Sequence, residues 1–354
     1  MPTEPTVLPA ESRLSPAGLT PGYFAGVMAT GIVSIGAQLK GYTALATVLF
    51  WISVAFYVVL VVLTVWRFVA TRSHMVDDFR DPARAFGFFT FIAATNVLGA
   101  ALVATGYDRI ASVLLLVSVL VWLVLGYVIP WTSVLGSTRR PMLDTANGTW
   151  FIWVVASQSI AVVAAGLEPI YESLRHELAI LAVFAWSVGV VLYAAVAVFV
   201  ALRVMLYPLE PQHLDPPYWV AMGAVAITVV AGARIVEMKD APMIDVTRDL
   251  VAGMSVVFWA FATWLVPVLI AAGVWRHGLR RIPLVYQPTL WSMVFPLGMY
   301  SVAGIYLGAA NHLPLVERVG ATWFWVGLLA WVLVAIGMAL DVSRKVQASR
   351  PAAR

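Results

Sequence analysis

The chain has 354 residues, 62% of them hydrophobic and 11% charged, against the ~25% charge of an ordinary soluble domain. So few ionisable groups exclude a water-facing surface of the usual kind, and hydrocarbon is the solvent in which this composition is cheap. The lack of cysteine removes disulfides, thiolate metal sites and cysteine nucleophiles. The net charge of +4 fits cytoplasmic loop charge and not nucleic-acid binding.

In chain order, segment 1–19 carries Pro2, Glu4, Pro5, Glu11 and Arg13. It lacks the basic start and apolar run of a signal peptide and reads as a short disordered cytoplasmic tail. Ten apolar stretches follow, each near the ~20 residues a helix needs to cross hydrocarbon. They cover 20–38, 44–66, 83–104, 109–130, 146–166, 176–202, 217–236, 249–275, 287–309 and 320–341. None alternates with period two, which argues against a barrel. The loops are short, and 342–354 reads as a second cytoplasmic tail. The predicted fold class is an all-α integral membrane protein with one ten-helix domain, residues 20–341, in a lipid bilayer.

An even number of spans puts both termini on one side. That side receives Arg13, Arg67, Arg72, Arg80, Arg84, Arg139, Arg140, Arg203, Arg276, Arg280, Arg281, Arg344, Lys345, Arg350 and Arg354. The other receives Lys40, Arg109, Arg175, Arg234, Lys239, Arg248 and Arg318. Positive charge collects on the cytoplasmic side, so both termini are expected in the cytoplasm of a multi-pass cell-membrane protein.

The stretches differ by parity. Gln38, Asn96, Asn147, Gln158 and Gln287 all fall in odd stretches, and glycines lean the same way, with Gly22, Gly26, Gly31 and Gly36 in the first and Gly298, Gly304 and Gly308 in the ninth. Polar residues prefer a protein interior or a wet cavity to lipid, and small ones let helices approach. The expectation is an inner ring of odd helices and an outer ring of even ones, built from a repeated hairpin. A transport path through the inner ring follows, with Thr30, Ser34, Asn96, Gln158, Ser292 and Ser301 as candidates to line it.

Chemistry of other kinds has little to stand on. His74, His176, His213, His277 and His312 fall in loops or at helix ends, and no Asp or Glu lies deep in any stretch. Metal-ligand spacing and paired carboxylates are missing from the membrane core, so no enzyme, metal site or cofactor is expected. Asp77, Asp78 and Asp81 among Arg72, Arg80 and Arg84 read as surface ion pairs. Tyr107, Trp131, Trp150 and Trp219 read as interfacial anchors. The missing core carboxylates favour a passive or gated path over a proton-coupled carrier.

Two sites are sharper. Arg234 and Glu237 form an i,i+3 pair near the outer end of the seventh stretch: either a snorkelling surface pair or a cation that draws anions to the outer mouth. In the ninth stretch, Pro296 removes a hydrogen bond from the carbonyl of Ser292 and is expected to bend the helix near mid-membrane. Phe295, just before it, is either a packing aromatic or a hydrophobic gate.

The motifs Pro21-Gly22-Tyr23-Phe24-Ala25-Gly26-Val27-Met28-Ala29-Thr30-Gly31, Asp81-Pro82 with Phe86, Phe88 and Phe89, Asn147-Gly148-Thr149-Trp150, Pro217-Tyr218-Trp219 with Met222-Gly223-Ala224, and Phe295-Pro296-Leu297 occur in this order. Together they resemble the tellurite-resistance/dicarboxylate transporter family, which includes bacterial TehA proteins, fungal malate and sulfite transporters, and plant slow anion channels. The resemblance spans about residues 20–341. It implies five helical hairpins in quasi-fivefold arrangement around a central pore lined by the odd helices, a homotrimer, and Phe295 with Pro296 as the pore gate. It also implies anionic substrates: chloride, nitrate, C4-dicarboxylates such as malate, sulfite or tellurite-related anions. Either a gated channel or facilitator, or a coupled carrier or exporter in the same fold, meets that description. Asp81 stands where many members carry histidine before the proline, and the long tails of the plant channels are absent.

Overall fold

The computed structural model describes residues 18–136, 141–239 and 242–349. Residues 1–17 and 350–354 of the expected tails, and Arg13, Arg139, Arg140, Arg350 and Arg354, lie outside the described residues. Ten helices are long and apolar enough to cross a bilayer: Pro21–Leu39, Thr43–Ala70, Ala85–Ala104, Asp108–Leu135, Gly148–Leu167, Glu172–Leu206, Pro216–Val236, Pro242–Leu279, Pro288–Ala310 and Pro314–Gln347. They are called spans 1 to 10 below. In hydrocarbon each backbone group must be satisfied within its own segment, and the helix does this.

The even spans run longer than the sequence stretches. Span 6 has 35 residues and span 8 has 38, which at 1.5 Å per residue is well over the ~30 Å of hydrocarbon. An apolar window stops where charge begins, at Arg203 or Arg248, whereas the helix continues through the interface. The last helix likewise runs through to Ser349, so residues 342–349 extend span 10. A second difference lies between spans 2 and 3, where Arg72–Arg80 forms a nine-residue helix.

Parity is plain in the burial. Between 72 and 89% of each odd span's apolar window is buried within the protein, against 17 to 28% for each even span. Span 1 packs on span 3, span 3 on span 5, span 5 on span 7, span 7 on span 9, and span 9 on span 1. The ring of buried helices therefore closes on itself. Each even span packs chiefly on the odd span before it and turns Trp51, Val113, Val191, Trp264 and Leu333 outward. That is the distribution a lipid-facing layer requires.

Every odd span opens with a 3-10 turn: Pro21–Phe24, Ala85–Phe88, Gly148–Trp150, Pro216–Trp219 and Pro288–Leu290. These turns touch in the same cyclic order as the helices they begin. Side chains tie them together. Trp150 Nε1 donates to the Pro82 carbonyl at 3.0 Å, and Thr90 Oγ1 to the Pro21 carbonyl at 2.8 Å. Trp150 is thus a buried strut and not the interfacial anchor expected of it. Asn147 is the N-cap of its turn, accepting from the Thr149 N–H at 2.8 Å.

The inner and outer layers are stitched by polar contacts. Ser53 donates to the Val27 carbonyl at 3.1 Å, Trp122 to Ser157 at 2.9 Å and Trp186 to the Thr228 carbonyl at 3.1 Å. The Thr263 and Tyr300 hydroxyls meet at 2.7 Å. Spans 9 and 10 combine such a contact, from Ser301 to the Gly320 carbonyl at 2.7 Å, with a close approach at two glycines. A Cβ on Gly304 would lie 2.8 Å from Gly320 Cα, so the two helices touch through their backbones.

Asp78 departs from the surface pairing expected of the acidic cluster. Asp78 is 3% exposed. It is held by Arg67 at 2.7 Å, itself 4% exposed, and by Arg84 at 3.1 Å. The short helix Arg72–Arg80 places Asp78 over the end of span 2, a contact that no linear spacing announces. Asp81 pairs with Arg84 at 3.5 Å.

Candidate functional site

A cavity of about 270 Å³ sits between the five odd spans. Each contributes residues from its C-terminal half: Ile32 and Ile35, then Asn96 to Ala104, Ser159 to Gly166, Ile227 to Arg234, and Met299 to Tyr306. The walls are mostly aliphatic. Asn96 and Ser159 lie deepest along their spans, and Arg234 and Tyr306 lie near the helix ends.

Arg234 is the one charged residue among the described residues that line the cavity. Its Nη1 lies 3.2 Å from Glu237, and its guanidinium carbon is 5.4 Å from the Tyr306 ring centroid. Gly166 lies beside it: a Cβ there would stand in van der Waals contact, 3.5 Å from Arg234 Nη2. Five helix C-termini meet around this end, each carrying partial negative charge. The guanidinium offsets that field at the point where it is strongest.

The candidate residues divide by direction. Asn96 lines the cavity and donates to Ser159 at 2.9 Å. Thr30 receives the Trp331 indole N–H from span 10 at 3.0 Å. Ser34 donates to the Ala46 carbonyl of span 2 at 2.7 Å. It lines an adjoining recess of about 240 Å³, mainly among spans 1 to 3, that shares Ile35, Ala104 and Tyr306 with the cavity. Gln158 donates to the Trp186 carbonyl of span 6 at 3.1 Å, and Ser301 to the Gly320 carbonyl of span 10 at 2.7 Å. These four face the outer helices and do not line the cavity. Lipid offers no partner to a hydroxyl or an amide, so each is turned toward a carbonyl or an indole.

Phe295 is 1% exposed. It does not line the cavity itself, but precedes Met299, Val302 and Tyr306 by four, seven and eleven residues. Those spacings put all four on one helical stripe, with Phe295 about one turn beneath the floor. Ser292 falls near the same stripe and is buried. Pro296 lies within the continuous helix Trp291–Ala310, close to the middle of span 9. Its ring packs on span 7, where a Cβ on Gly223 would stand 2.8 Å from Pro296 Cγ.

Sequence reasoning missed Ser159, Gly166 and Tyr306. The signal for the first two was present, since Ser159, Val162, Val163 and Gly166 repeat at helical spacing. The adjacent Gln158 drew notice instead, and one residue of helix turns it 100° away.

At the N-terminal ends of the odd spans, a second polar group surrounds the entry to span 7. Arg276 donates to the carbonyls of Pro211 at 3.1 Å and Leu214 at 2.8 Å, and Arg203 to that of Asp144 at 2.9 Å. Burial pushes the Asp215 carboxyl up to about 6, against the pull of the Arg276 cation. Among the described residues no group of three His, Asp or Glu could hold a metal.

Residues 18–339 match the profile of the voltage-dependent anion channel family. An uncharacterised membrane protein of Mycobacterium tuberculosis is 59% identical over 147 residues, 42% of this chain and 75% of the relative. An uncharacterised transporter of Methanocaldococcus jannaschii is 24% identical over 89% of this chain and 91% of its own. A sulfite efflux pump of Trichophyton rubrum is 23% identical over 89% of this chain and 88% of its own. The relatives are named as membrane proteins, transporters or pumps and not as enzymes.

Proposed function

The chain belongs to the voltage-dependent anion channel family, and from that premise we propose that it is a gated anion channel or facilitator. Small anions, chloride- or nitrate-like or C4-dicarboxylate, move through the middle of a quasi-fivefold set of hairpins. Phe295 closes the path, with Pro296 fixing its helix against span 7. The observation that carries this reading is the closed ring of five buried helices with a cavity inside it and Phe295 on the same stripe beneath.

Electrostatics support the choice of anions. At one mouth five helix N-termini converge, and their dipoles favour negative charge. At the other, Arg234 opposes the C-terminal dipoles. Between them the described lining has no fixed charge that would trap an ion. It also has no carboxyl to relay a proton, which favours a passive path over a proton-coupled carrier.

The Lys and Arg distribution supports an orientation with both termini in the cytoplasm and the cavity at the outer face. The chain has no cysteine, so single reporters test this. Ser343→Cys should label from the cytoplasmic side, and labelling from outside would reverse the orientation. A homotrimer is part of the proposal, and native mass spectrometry at three chains or one decides it.

The gate is tested in proteoliposomes. Phe295→Ala should pass chloride at least tenfold faster than the wild type. Equal fluxes in the two would remove Phe295 from that role.

A further inference from the structure

The floor of the cavity carries a polar pair joined by a hydrogen bond of fixed direction. Ser159 Oγ donates to the Ala156 carbonyl at 2.7 Å, and Asn96 Nδ2 donates to Ser159 Oγ at 2.9 Å. A serine hydroxyl has one hydrogen, so the bond between the two side chains has a fixed direction. The amide oxygen of Asn96 is therefore the group left over. It is buried with no hydrogen-bond partner among the described residues, on a side chain 1% exposed that lines the cavity.

An unpaired buried acceptor seeks a donor. A halide or nitrate brings only acceptors and meets Asn96 Oδ1 as a repulsive neighbour. An anion that keeps one O–H brings the donor this oxygen lacks, and its charge remains available to Arg234 nearer the mouth.

We propose that the Asn96–Ser159 pair makes the path selective for singly protonated oxyanions over aprotic anions of equal charge and similar size. The proposal rests on the reading of the cavity as an anion path. Its site is the Asn96 amide oxygen, and its ligand class is a monoanion with an acidic hydroxyl.

Hydrogencarbonate and nitrate make a matched pair of probes, each planar, singly charged and built from three oxygens, differing in one O–H. Their permeability ratio is read from reversal potentials in proteoliposomes of Phe295→Ala, with nitrate on one side, hydrogencarbonate on the other and pH clamped equal. Adding Asn96→Leu should lower the hydrogencarbonate-to-nitrate ratio about fivefold, the worth of one hydrogen bond. Adding Ser159→Ala should lower it too, because the freed amide N–H then offers a donor to nitrate. Ser159→Ala is the smaller change and serves if Asn96→Leu does not assemble. A ratio unchanged in both variants overturns this selectivity and leaves the anion path standing. Absence of anion current with either probe overturns the path and the selectivity together.

Discussion

Removing the cation at the cavity mouth should slow anions, and the structure sets the size of the effect. Seven residues of span 5 separate Ser159 at the floor from Gly166 beside the Arg234 guanidinium, about 10 Å of helix rise. At an effective dielectric of about 20, a unit charge at that distance is worth about 1.7 kcal/mol to an anion on the floor. This exceeds a tenfold change in occupancy. Glu237, 3.2 Å away and 42% exposed, cancels part of it. The net expectation for Arg234→Gln is a three- to tenfold loss of chloride conductance. Glu237→Gln should act in the opposite sense and raise conductance, because it frees the guanidinium. Both are measured as currents in the Phe295→Ala background at low and high salt, where screening should shrink both effects. If Arg234→Gln and Glu237→Gln change conductance in the same direction, or neither changes it, the guanidinium does not act on the permeating ion.

Two further outcomes concern the N-terminal ends of the odd spans. Breaking the buried Arg67–Asp78 pair by Asp78→Asn should cost about 3–5 kcal/mol, read as a lower unfolding midpoint in detergent. Replacing both residues together by apolar ones should recover most of that loss, and failure to recover would mean that the charges do more than pair. Asp215 gives the pH dependence. Its folded value of about 6 lies above the ordinary 3.8, so its contribution to stability is full below about pH 4 and is lost as pH rises through 6. At 1.36 kcal/mol per unit the loss is at most about 3 kcal/mol. Asp215→Asn should flatten thermal stability across that interval, and an unchanged pH profile would exclude Asp215 as its source.

The ten spans and their parity were legible because lipid punishes polarity along the whole length of a helix. An apolar run of about twenty residues has few other uses. Helix ends were less legible, since spans 6, 8 and 10 continue past the hydrocarbon on charged residues such as Arg203, Arg248 and Arg344. The lining of the cavity was least legible. Composition says that Thr30, Ser34, Gln158 and Ser301 avoid lipid, but a partner on an outer helix serves that need as well as a pore does. Only the rotation of each helix decides between them, and rotation is set by packing such as that of Gly304 on Gly320. Asn96 is the candidate that lines the cavity, and its neighbour Ser159 was marked only by the helical spacing it shares with Val162, Val163 and Gly166. The burial of Asp78 depended on a short helix that folds a distant aspartate over Arg67.

The reversal potential of Phe295→Ala proteoliposomes under a chloride gradient tests the anion path most directly. The expected result is a potential that follows the chloride gradient and does not move when a pH gradient is imposed across the same membrane. A potential that follows the cation, or one that shifts with pH at fixed chloride, would contradict a passive anion path through the ring.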